Sequence, residues 1–182
     1  HPQITELLKQ VLANERYEVR LDALERVARL QIEAMQSHVR QEIDTETHPR
    51  VLGQALITYG ALGADDVGAV LTPHINSDDE YIRRSALSGL LNYEPASDDT
   101  KNKLLDMARS EDPAKRMFAA DVMGDFDAGA SYLVELLDDE DHAVVSRAIH
   151  AAGLIGDTRL INTLVSKLSV AGLQSPAAQA LQ

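Results

Sequence analysis

A chain of 182 residues is long enough for one core that buries roughly 70% of the surface its unfolded form exposes, without a disulfide or a metal as a staple. With no cysteine it has no disulfide framework, zinc-thiolate site or catalytic thiol, and it is expected in a reducing, cytoplasmic setting. Twenty-nine acidic against seventeen basic residues give a net charge of −12; with no tryptophan and only 4% aromatics, this excludes a nucleic-acid partner held by phosphate neutralisation and base stacking.

The first residue is His1, and the chain reads as a piece of a longer protein. Ile4, Leu7, Leu8, Val11 and Leu12 make one amphipathic helix ending near Asn14. Between Tyr17 and Ile43 there is no glycine or proline, yet the apolar stripe changes face. Val19, Ala23, Val27 and Leu30 lie on one side, and Ile32, Met35, Val39 and Ile43 nearly opposite, which places a tight turn or kink near Leu30 and Gln31. Pro49 is pre-set for a first helical turn capped by Thr47 or His48, with Val51, Ala55, Tyr59 and Leu62 inward and glycines 60 and 63 loosening the end. Asp65 opens a short partner helix with Val67, Val70 and Leu71 that Pro73 ends or kinks.

Asp79 is expected to cap a helix from Glu80 to Tyr93, with Ile82, Ala86, Leu90 and Tyr93 inward. Pro95 stops it, and Ser97 or Asp98 caps the next, whose Leu104, Met107 and Ala108 face the core. Asp112 and Pro113 repeat the cap-then-proline start, leading through Ala119, Val122, Met123 and Phe126 to a turn at Gly129 and a helix with Leu133, Leu136 and Leu137. The stretch 141–168 holds the clearest unit: Val144, Ala148, Ala151 or Ala152 and Ile155 form one stripe, Gly156 and Asp157 break it, and Ile161, Leu164 and Leu168 form a second. A last helix begins in Val170 to Gln182. The acids cluster before helix starts, as in 78–80, 98–99, 111–112 and 138–141, where they cap N-termini and complement the helix dipole.

Ala23, Ala55, Ala86, Ala119, Ala148 and Ala177 recur at spacings of 32, 31, 33, 29 and 29. A helix-turn-helix repeat of about 30 residues marks an α-solenoid. The alanines allow close approach where the first helix of each repeat crosses its neighbour. The fold class is therefore all-α, a right-handed α-solenoid (superhelix) of about five helix-turn-helix repeats in a single domain over 1–182. The units run over 15–46, 47–77, 78–109, 110–138 and 139–168, with partial units at 1–14 and 169–182.

The stretch DHAVVSRAIHAAGLIGDTRLINTLVSKL (141–168), and less fully DDEYIRRSALSGLL and DPAKRMFAADVMGDF, resemble the short HEAT-like repeats of the phycobilin-lyase type. The family's basic position maps onto Arg20, Arg83 and Arg116, whereas Val145 stands in its place in the fifth unit and Arg147 is displaced by two. Asp79 with Arg83 and Asp112 with Arg116 are spaced i,i+4, a separation that supports a structural ladder of ion pairs.

Catalytic patterns are missing from the sequence. His38 with Glu42, and His142 with His150, lack the H-x-x-x-H or H-E-x-x-H form that presents two ligands on one face. No His-Glu dipeptide of the kind deoxyhypusine hydroxylase uses is present, nor a nucleophile elbow, a P-loop or a dinucleotide-binding glycine pattern. The expectation is a non-enzymatic interaction scaffold without cofactor or metal. The second helices of the repeats, through Lys101, Lys103, Tyr132, Glu135, Arg159, Asn162 and Ser166, would offer a surface to a protein partner, including other domains of the same chain. The alternative is a regulatory or spacer domain of a larger enzyme, sensor or membrane transporter; chromophore attachment of the lyase kind is the third reading.

Overall fold

The computed structural model describes residues 2–125 and 129–182. All regular structure among them is helical. The α-helices are α1 (Pro2–Leu12), α2 (Tyr17–Arg29), α3 (Gln36–Thr45), α4 (Pro49–Leu62), α5 (Val67–Leu71), α6 (Glu80–Asn92), α7 (Glu94–Ala108), α8 (Pro113–Met123), α9 (Ala130–Leu137), α10 (His142–Ile155), α11 (Ile161–Lys167) and α12 (Gln174–Ala180). Short 3-10 turns at Glu33–Met35, Thr72–Asn76 and Thr158–Leu160 extend α3, α5 and α11. By internal contacts the chain divides into two compact units, residues 1–100 and 101–182. In the first, α2, α4 and α6 pack in sequence, with α3 against α4 and α5 against α6; in the second, α10 packs on α8, α9 and α12.

All six register alanines are buried, none more than 1% exposed. Glycine extends the same device in the first unit: a Cβ built on Gly60 would lie 2.1 Å from the carbonyl oxygen of Gly89, so α4 and α6 touch backbone to backbone. In the second unit a Cβ on Gly153 would come within 2.9 Å of the Cα of Ala180, which brings α10 equally close to α12.

The joint that no breaker residue announces is a turn, not a long kinked helix. Ile32 N–H donates to the carbonyl of Val27 and Gln31 N–H to that of Ala28, the two bonds of a Schellman motif. The residue after the cap, Gln31, takes the left-handed conformation at φ 49° that glycine usually fills, and its side-chain amide donates to Ala28 as well. Leu30, expected in the buried stripe, is thereby carried to the surface at 62% exposure.

Other local expectations need correction. Neither Thr47 nor His48 caps α4 through its side chain; one Glu46 carboxylate oxygen accepts the backbone N–H groups of Thr47 (2.9 Å) and His48 (2.8 Å) instead. Helix α5 begins two residues after Asp65, and Pro73 falls in the 3-10 turn that continues it. Helix α7 starts at Glu94, so Pro95 opens a helix as well as closing one, because the first turn has no use for the missing N–H. Asp98 consequently lies inside the helix and does not cap it, while the side chain of Ser97 and all of Phe126 lie outside the described residues. Leu164 of α11 is buried as expected, but it is joined by Leu160 of the preceding turn, while Ile161 and Leu168 are 43% and 38% exposed. Ile4 and Leu7 on α1 are also exposed, where an inward face was expected. The caps by Asp79, Asp112 and Asp141 are present as expected.

Candidate functional site

The arginine that recurs three residues before the register alanine is a structural tie. Arg20 Nη1 donates to the carbonyls of Asn14 (2.8 Å) and Glu15 (3.2 Å), and Nε and Nη2 reach Glu46 at 2.9 and 2.8 Å. Arg116 repeats the arrangement: Nη1 to Ser110 (2.8 Å) and Glu111 (3.2 Å), and a fork of Nε and Nη2 onto Asp139 at 2.7 and 2.9 Å. Arg83 Nη1 donates to the carbonyls of Ser77 (2.8 Å) and Asp78 (3.1 Å). The guanidinium therefore closes the loop that leads into its own helix and, in Arg20 and Arg116, grips the acid three residues ahead of the next repeat's first helix. The i,i+4 pairing expected of Asp112 with Arg116 does not form, since Asp112 is occupied in capping Ala114 N–H. Asp79 likewise accepts from Tyr81 and Ile82.

Charge follows from this geometry. Burial opposes ionisation of Glu46, but the His48 N–H, Arg20 and the Thr47 N–H outweigh it and hold the carboxyl below its ordinary value. Burial and then the Glu46 charge push neighbouring Glu42 up, partly offset by Arg20. On the same unit Tyr59, buried and donating to Asp66 at 2.6 Å, is pushed up to about 12.

The seven residues proposed from sequence fall on α7, α9, the turn before α11, and α11. Lys101 and Tyr132 are half-buried, and Lys103, Glu135, Arg159, Asn162 and Ser166 exposed. Glu135 is joined to Arg109 by a two-bond ion pair (2.8 and 3.0 Å), and Arg159 folds back onto Asp157, the cap of its own turn. Ser166 Oγ donates to the carbonyl of Thr163. Lys167 Nζ reaches Asp138 at 2.6 Å, tying α11 to the end of α9. The same helices carry exposed residues the sequence reading did not select: Val134, Ile161 and Val165, at 47%, 43% and 49% exposure. The stripe Leu160–Leu164 was the available signal, since placing it inward turns Ile161 and Val165 outward.

A second feature lies on the first helices. A groove of about 680 Å³ runs over α10, bounded by Met117 of α8 on one side and by Pro176, Gln179 and Ala180 of α12 on the other. Arg147 and His150 line it, with Leu154 exposed at one end. No group of three or more metal-ligating side chains is found among the described residues.

Residues 101–182 match the family described as HEAT repeats. This part of the chain is built of HEAT repeats. The HEAT-repeat helices also have a counterpart in the complex of CpcE and CpcF of phycocyanin lyase from Nostoc sp., which is 14% identical, with 97% of this chain and 75% of that chain covered and a TM-score of 0.55; the likeness is one of fold. An engineered protein, 20% identical over 97% of this chain and 94% of its own, gives a TM-score of 0.41. A comparison with curated protein sequences finds no match. No helix among the described residues is long and apolar enough to cross a membrane.

Proposed function

We propose that this HEAT-repeat chain is a non-catalytic scaffold that binds a protein partner across the second helices of its carboxy-terminal unit. The observation that supports it is the surface of α9 and α11, where Val134, Ile161 and Val165 stand exposed among the polar groups of Glu135, Asn162 and Ser166. Aliphatic side chains surrounded by a polar rim make a typical core for a protein interface. The ion pairs Arg109 to Glu135 and Arg159 to Asp157 hold that rim in place without consuming the aliphatic centre. The partner is a separate protein or another domain of the same chain. That the structural neighbour from Nostoc is itself a complex of two proteins accords with a fold used for pairing.

The test is a pull-down from the native source with the wild type, Tyr132→Ala and Arg159→Glu. Loss of a specific partner in the variants is expected, and equal recovery of every partner by all three forms would remove this surface from consideration. Incubation with bilin and an apo-phycobiliprotein is the complementary check, in which covalent attachment would overturn the non-catalytic reading.

A further inference from the structure

In a chain of net charge −12, the groove over α10 is lined without a single carboxylate. Its ionisable side chains are Arg147 and His150, one turn apart on α10 and so on the same face. Arg147 stands where the repeat arginine has been displaced by two positions. Val145 holds the in-register place and is buried, whereas Arg147 points away from the stack, its side chain 49% exposed. Its polar contact is a 3.5 Å approach of Nε to Asp121, whose own side chain is only 12% exposed. A carboxylate arriving from solvent therefore meets the guanidinium before it meets Asp121. His150 is exposed and carries no hydrogen bond to the described residues. Met117, Ala143, Leu154 and Ala180 supply apolar wall and floor, and Gln179 an amide that can bond a peptide backbone.

We infer that this groove is a second docking site, distinct from the α9 and α11 surface, for an extended peptide segment that places an aspartate or glutamate against Arg147 and His150 and a neighbouring aliphatic side chain against Leu154. Charge complementarity selects the acid: the guanidinium offers paired donors that match a carboxylate, and the imidazole adds another. Length selects a peptide over a small molecule. From Ala143 to Leu154 the helix rises about 16 Å, the span of about five extended residues. The occupant does not depend on the scaffold reading, because α8, α10 and α12 rather than the second helices form the site.

A library of random dodecapeptides displayed on phage, selected against the intact chain, tests this. The expected outcome is enrichment of sequences with an acidic residue next to Leu, Ile, Val or Met. A selected peptide, fluorescently labelled, should bind at least tenfold more weakly to Arg147→Glu and to Leu154→Ser, and its Glu→Gln or Asp→Asn counterpart should lose a similar factor on the wild type. Tyr132→Ala, on α9, should bind it unchanged. Should Arg147→Glu lose its helical circular dichroism, Leu154→Ser and the amide peptide carry the same comparison. No enrichment, an enriched motif without acids, or binding that Tyr132→Ala reduces and Leu154→Ser does not, would each overturn the proposal.

Discussion

Helices α8 and α10 occupy equivalent places in successive repeats and treat their arginine in opposite ways. On α8, Arg116 sits three residues before the register alanine, is 8% exposed, and spends its donors on two loop carbonyls and Asp139. On α10 that place belongs to Val145, and Arg147, two residues further on, stands at the surface beside a groove. A shift of two residues is about 200° around a helix, enough to move one side chain from the seam between repeats to solvent. The lesson is that position relative to the alanine, more than residue type, separates an arginine held in the seam from one at the surface. Arg20, with the same bonds as Arg116 in the other unit, shows that the seam role recurs.

The largest effect should come from removing a seam arginine. Arg20→Ala strips a buried carboxylate and two carbonyls of their donor and should cost about 2 to 3 kcal/mol in urea unfolding; a loss below 0.5 kcal/mol would erase the distinction. Ala119→Leu places a large side chain at the α8 crossing and should cost about 1 to 3 kcal/mol, whereas no loss would mean the alanines do not mark the seam. Gln31→Gly relieves a left-handed residue and should raise stability by about 0.5 to 1 kcal/mol, read by the same unfolding curves. Smallest of all, Arg147→Ala should change stability by less than about 0.5 kcal/mol, since its ion pair is long and the guanidinium itself is half exposed.

The seam can also be read by pH. Glu46 ionises more readily folded than unfolded, so its stabilisation is complete above the unfolded carboxylate pKa and disappears as pH falls through the lower folded value. Glu42 has the opposite sign: its folded pKa is raised, so its favourable contribution exists in acid and is lost as pH rises through that value. Glu42→Gln should therefore stabilise the chain at pH 7, with the gain fading as the solution is acidified, in thermal unfolding followed at both ends of that range.

Much of this architecture was legible in the residues. Six alanines at near-constant spacing marked the packed faces of six helices, because only a small side chain lets two helices approach so closely, and the phase change between Leu30 and Ile32 located a turn that composition alone concealed. The turn's mechanism was hidden, since Gln31 is not a residue type that announces a left-handed cap. The partners of Arg20 and Arg116 were also hidden. The acids that bind them are 26 and 23 residues away, just ahead of the next repeat's first helix, and for Arg116 the nearer acid at i−4 offered a simpler pairing that Asp112 is too occupied with its own helix to make. For the proposed interaction surface, the sequence pointed to polar and charged residues of the second helices; the exposed aliphatics on those helices became visible only once Leu160 and Leu164 were seen to point inward.

Hydrogen exchange of the chain alone and bound to the partner recovered by pull-down tests the scaffold reading most directly. Protection on binding concentrated in α9 and α11, over 130–137 and 158–167, is the expected result. Binding that leaves both helices unprotected, with protection elsewhere, would contradict it.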